Sequence, residues 1–123
     1  MQIPLSRPDI SQAEREAVQA VLMTPNLSLG PKVPEFEQAF RDYLGVKYAV
    51  AVNSGTSAMH LVMRAMGIGR GDEVIVPSFT FIASANCIMF DGGRPVFVDV
   101  DPDTWNIDPA KIALLNAGGV PIH

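Results

Sequence analysis

Tyr48-Ala49-Val50-Ala51-Val52-Asn53-Ser54-Gly55-Thr56-Ser57-Ala58 passes from a short apolar run into turn formers and then into residues suited to open a helix. An apolar run bounded in this way reads as a strand buried on both faces, the kind that parallel sheets use. Two more runs follow, Glu73-Val74-Ile75-Val76 and Pro95-Val96-Phe97-Val98-Asp99-Val100. Helix-length segments, Thr56 to Met66 and Phe81 to Phe90, lie between them. Strands alternating with helices need crossover connections, so the sequence predicts an α/β fold with a mainly parallel sheet and helices on both faces.

Upstream, Pro4 and Pro8 keep the chain extended, and Asp9 or Ser11 can cap a helix whose Ala13, Ala17, Val18, Val21 and Leu22 share one side. That helix should end near Thr24-Pro25, followed by the turn formers of Asn26-Leu27-Ser28-Leu29-Gly30-Pro31. A second helix carries Phe36, Phe40 and Leu44 at a spacing of four, with Gly45 as its stop. The expected organisation is an N-terminal helical segment, residues 1–45, and a strand–helix segment, residues 46–123.

Composition narrows the class of function. Apolar residues make up 48% and charged residues 18%, a globular balance. A net charge of -4 without any Lys/Arg cluster argues against nucleic acid or an anionic membrane as partner and leaves a small ligand. Cys87 is the single cysteine and the histidines are His60 and His123, so neither an internal disulfide nor a metal-ligand spacing exists, and no metal is expected. No leader-like start and no run near the roughly 20 apolar residues of a membrane span are present, so a cytoplasmic location is expected.

In open parallel sheets ligands bind beyond the carboxyl ends of the strands. After the first run, Gly55 lets a ligand approach the backbone, while Thr56 and Ser57 place hydroxyls and free N–H groups where a phosphate dianion could sit. The same Ser54 or Thr56 also reads as an ordinary helix cap, and the motif alone does not choose. After the second run, Phe79 and Phe81 read either as cover for a flat ring or as core beneath the loop. The acidic stretch Asp99 to Asp108 lacks the Gly and terminal Glu of a calcium loop and reads as turn and cap chemistry. His60 reads as a satisfied helix residue and Cys87 as a small core residue.

Taken in order, Ile3-Pro4-Leu5-Ser6, Gly30-Pro31, Tyr43-Leu44-Gly45, Ala51 to Ala58, Gly71-Asp72-Glu73-Val74-Ile75-Val76-Pro77-Ser78, Thr80 to Asn86 and Val96 to Pro102 resemble the N-terminal part of the DegT/DnrJ/EryC1/StrS aminotransferases. These are fold-type-I enzymes that use pyridoxal phosphate to aminate keto-sugar nucleotides. The resemblance implies that residues 46–123 are part of the cofactor-binding large domain. It implies that Gly55, Thr56 and Ser57 hold the cofactor phosphate and that Phe81 stacks on the pyridine ring. It further implies a homodimer, a nucleotide-sugar substrate, an amino donor such as glutamate, and a pocket that includes the loop around Leu29-Gly30-Pro31.

A transaminase also needs a lysine amine to hold the cofactor and move a proton, and an acid to keep the pyridine nitrogen protonated. The family carries both downstream of the position matching Asp108. Lys32, Lys47 and Lys111 do not match the family's lysine, so no catalytic residue is assigned and the chain is expected to be an N-terminal fragment, inactive alone. Val120-Pro121-Ile122-His123 resembles a further strand that the family reaches by a longer link. The rival expectations are a non-catalytic phosphate-binding or assembly module, and a sugar dehydratase of the same family, in which a histidine replaces the lysine.

Overall fold

In the computed structural model, which describes residues 6–117, the chain divides into two compact units with the boundary between Ala51 and Val52. The strand-like reading of Val120 to His123 and the start of the N-terminal motif at Ile3 to Leu5 lie outside the described residues.

The first unit is built on two helices. Helix α1 spans Gln12–Leu22, and of the two candidate caps it is Ser11 that acts. The Ser11 hydroxyl accepts from the Ala13 amide at 3.2 Å, and the Ser11 amide donates to the Glu14 carboxylate at 2.6 Å, so orphan N–H groups at the helix start are satisfied. Helix α2 spans Lys32–Leu44 and stops at Gly45, whose left-handed φ of 66° suits a residue without a Cβ. Neither helix buries a residue.

The segment Tyr48 to Val52 departs from expectation, since it forms no strand. A strand exists only where a neighbour takes its backbone hydrogen bonds. Here the Ala51 amide donates instead to the Glu37 carboxylate of α2, at 2.8 Å. A side chain has taken the place of a ladder partner.

The second unit holds the sheet and the core. After α3, Gly55–Ala65, strand β1 (Glu73–Pro77) pairs in parallel with β2 (Arg94–Val98), register Glu73 to Arg94 through Pro77 to Val98. The connection between them is α4, Ala83–Met89, which starts two residues later than the sequence pattern suggested because the turn after Pro77 uses Phe81 and Ile82. Parallel strands cannot be joined by a tight turn, and the crossover helix covers the sheet it spans. Accordingly α4 buries Ala83, Ala85, Cys87 and Ile88, and Val76, Cys87 and Ile88 form the core, with Met59, Met63 and Val74 packed against it. Helix α5, Pro109–Ala117, follows an acidic turn and is capped by Asp108, which accepts from the Ala110 amide at 2.9 Å. No helix of the described residues is long and apolar enough to cross a membrane.

The turn from α4 into β2 is closed by Gly93, which is buried. A Cβ there would lie 2.9 Å from the Ile68 side chain and 3.0 Å from the Ile88 carbonyl oxygen, and a backbone atom cannot yield. Gly93→Ala is therefore expected to destabilise the protein by about 1–3 kcal/mol, read as a lower urea midpoint at unchanged slope.

Candidate functional site

The start of α3 is organised by its own side chains. Ser54, in extended conformation, accepts from the Ser57 amide at 3.1 Å and so caps the helix. The Ser57 hydroxyl donates to the Asn53 side-chain oxygen at 2.7 Å and lies 3.0 Å from the Ser54 hydroxyl. The cap and phosphate readings of this turn are thus compatible: Ser54 does the capping, and Gly55 and Thr56 head the first turn, where N–H groups have no partner within the helix. An ideal Cβ on Gly55 would meet nothing within 4 Å, and Gly55 is not at positive φ, so the backbone geometry does not demand glycine. What glycine leaves there is open approach.

Phe79 and Phe81 are not core. Phe79 is 64% exposed and Phe81 74% exposed, which removes the reading of either as filler beneath the loop. Phe79 instead packs against Trp105, ring centroids 5.2 Å apart. Trp105 reaches it from a backbone φ of 59°, rare for a bulky residue, with its amide donating to the Asp101 carbonyl at 2.9 Å. Phe81 stands at the exit of β1, and its carbonyl accepts from the Ser84 amide at 3.0 Å.

The carboxyl ends of β1 and β2 are tied together. The Ser78 amide donates to the Val98 carbonyl at 2.7 Å, and the Ser78 hydroxyl to Asp99 at 3.3 Å. Lys111 of α5 donates to the other Asp99 oxygen and to the Val100 carbonyl, both at 3.3 Å. The Val100 amide and then Lys111 hold the Asp99 carboxyl below its ordinary range. Composition and spacing did not reveal this tie, because its members are far apart in sequence and of common types.

The remaining candidates behave as structural residues. Asp101 accepts from the Asp103 and Thr104 amides at 3.0 and 2.8 Å and from the Thr104 hydroxyl at 3.0 Å, which is turn chemistry. Among the described residues no cluster of acidic, His and Cys side chains could hold a metal ion. Cys87 is buried in the core. His60 is satisfied by Asp91, 2.9 Å from its Nε2.

The match to a family model of DegT/DnrJ/EryC1/StrS aminotransferases runs from residue 8 to residue 115. The chain belongs to this family. Among curated family relatives it is 51% identical over 114 residues to the GDP-perosamine synthase of Caulobacter vibrioides, covering 92% of this chain and 31% of that protein. It is 48% identical to the spore coat polysaccharide biosynthesis protein SpsC of Bacillus subtilis, covering 98% and 32%. The chain spans about a third of the length of these relatives. Among solved structures it superposes on an aminotransferase from Psychrobacter cryohalolentis with a TM-score of 0.82 at 41% identity, covering 90% of this chain and 29% of that one. It also matches E. coli GDP-4-keto-6-deoxy-D-mannose-3-dehydratase with bound hydrated PLP, TM-score 0.79 at 34% identity, covering 87% and 29%. The fold is therefore that of part of a fold-type-I enzyme, as the order of motifs in this family member implied.

The Thr104 amide, then its hydroxyl, hold the Asp101 carboxyl below its ordinary range. A carboxyl that binds its proton less readily folded than unfolded adds stability in full above the unfolded value of about 3.9 and loses it as pH falls through the lower folded value. The urea midpoint should accordingly fall more steeply below about pH 4 in the parent protein than in Asp101→Asn.

Proposed function

We propose that this chain carries the phosphate-holding part of a pyridoxal-phosphate-dependent aminotransferase that takes an amino group from a donor such as glutamate and delivers it to a keto-sugar nucleotide. The observation that carries the reading is the open first turn of α3, where Gly55 leaves the approach to the N–H groups clear at a helix N-terminus that favours an anion. Gly55 and Thr56 would offer backbone N–H groups to the cofactor phosphate, and Ser57 would offer its hydroxyl by turning it from Asn53. Phe81, exposed at the exit of β1, would cover one face of the ring. Bound pyridoxal phosphate supplies the electron sink that amino-group transfer requires. The residues present fit that group.

On this reading the lysine and the acid that complete the site belong to family sequence outside the positions these residues match. Lys111 is committed to Asp99 and Val100, which marks it as a tie between α5 and the end of β2. Active protein is expected to be a cytoplasmic homodimer that takes its sugar in a pocket including Leu29-Gly30-Pro31. The match to a dehydratase supports a second reading, in which the same phosphate turn serves removal of a sugar hydroxyl. Incubating the intact protein with a keto-sugar nucleotide and glutamate separates the two, since only the transferase forms an amino sugar at the expense of glutamate.

Gly55→Ala is expected to leave the urea midpoint unchanged or slightly raised, because alanine is the better helix former by up to about 1 kcal/mol. The added methyl should nevertheless weaken pyridoxal-phosphate binding on the order of tenfold, about 1.4 kcal/mol, measured by absorbance titration. Equal affinity in the two proteins would remove Gly55 from the site. In addition, borohydride reduction of the 123-residue chain with pyridoxal phosphate should yield no labelled Lys32, Lys47 or Lys111 accompanied by turnover. Labelling with turnover would show the chain to be a complete catalyst.

A further inference from the structure

The first turn of α3 holds a phosphate best if the helix keeps a fixed rotation about its own axis, because its free N–H groups are spread around the helix end and rotation changes which of them face a ligand. Helix α3 packs on α4, but its apolar contacts with the core set that rotation loosely. The side chains that α3 lays against the core are Met59 and Met63, unbranched residues that adapt to irregular space and specify orientation poorly.

A directional contact sits between them. His60 Nε2 lies 2.9 Å from one oxygen of Asp91, and Arg64 Nε lies 3.5 Å from the other. An ionised carboxylate only accepts, so the imidazole carries a proton on Nε2. The two basic residues are one helical turn apart on α3, so a single carboxylate fixes both the rotation and the rise of that helix. The His60 ring is also held edge-on by Phe90, with centroids 5.0 Å apart. Asp91 and Phe90 stand at the end of α4, in the turn that the buried Gly93 closes against Ile68 and Ile88. The anchor belongs to the crossover that carries the core.

We propose that His60, held by Asp91 and Phe90, is a positioning residue that orients the phosphate turn Gly55 to Ser57 through helix α3. It lies five residues beyond Gly55, about 7.5 Å along the helix, too far along to be one of the first-turn groups and near enough to govern their direction. The inference rests on the cofactor reading above for its purpose, but its structural content stands apart from it.

Two variants of the intact protein separate positioning from simple stability. His60→Leu removes the donor while keeping bulk, and His60→Gln places an amide where Nε2 was. Backbone amide exchange at Ser57 and Ala58, whose N–H groups are bonded to Ser54, should quicken about tenfold in His60→Leu with exchange in α4 unchanged, and pyridoxal-phosphate affinity should fall by about the same factor. His60→Gln should restore both to within about threefold of the parent. Exchange at Ser57 and Ala58 unchanged in His60→Leu, or equally fast in the Leu and Gln variants, overturns the proposal. Should His60→Leu fail to fold, Asp91→Asn, which weakens the acceptor without removing it, must reproduce the selective quickening or the proposal fails. Exchange is read without cofactor, so a parent protein that binds no pyridoxal phosphate would sink the functional reading and leave the positioning role to be decided by exchange alone.

Discussion

The parallel pairing of β1 with β2 is the constraint on which the second unit depends. In a parallel pair the end of the first strand and the start of the second lie at opposite ends of the sheet, so the chain must cross back to begin the second strand. That crossing is α4, and four of its seven residues are buried. The same requirement places both strand exits at one end, where Ser78, Asp99 and Lys111 join the β1 loop, the end of β2 and α5. It also places Asp91 and Phe90 at the opposite end of α4, against the middle of α3. The candidate phosphate turn is therefore held from the core by way of the crossover.

The first unit follows a different logic. Helices α1 and α2 are stabilised where the chain itself supplies partners: a capping box at Ser11 and Glu14, a left-handed glycine at Gly45, and Phe36 packed at a tilt on Phe40 with ring centroids 4.7 Å apart. Their apolar stripes, among them Val18, Leu22 and Leu44, are exposed. Local caps define where such helices start and stop, while most helical stability in proteins comes from burying the apolar face.

Several acidic side chains serve the backbone. Glu37 accepts from Ala51, Asp99 from Val100, Asp101 from Asp103 and Thr104, and Asp108 from Ala110. In each case a carboxylate satisfies amides that a loop or helix start leaves without partners. This use explains an acidic stretch from Asp99 to Asp108 that holds no cation cluster, and it explains how turns this tight are fixed.

Much of this protein is determined by local chemistry and could be read before any coordinates. The periods of Phe36, Phe40 and Leu44, the cap at Ser11, the stop at Gly45 and the strand runs at Glu73 and Pro95 depend on residues within a turn or two of one another. The ordered motifs gave the family for the same reason, since each is contiguous. Tertiary structure decided what local patterns leave degenerate. Tyr48 to Val52 has a strand's composition but meets Glu37 instead of a neighbouring strand. Phe79 and Phe81 could have been core or surface, and the Trp105 turn draws one of them outward. His60 had no visible partner because Asp91 lies 31 residues away, and only the crossover of α4 brings the two within 2.9 Å.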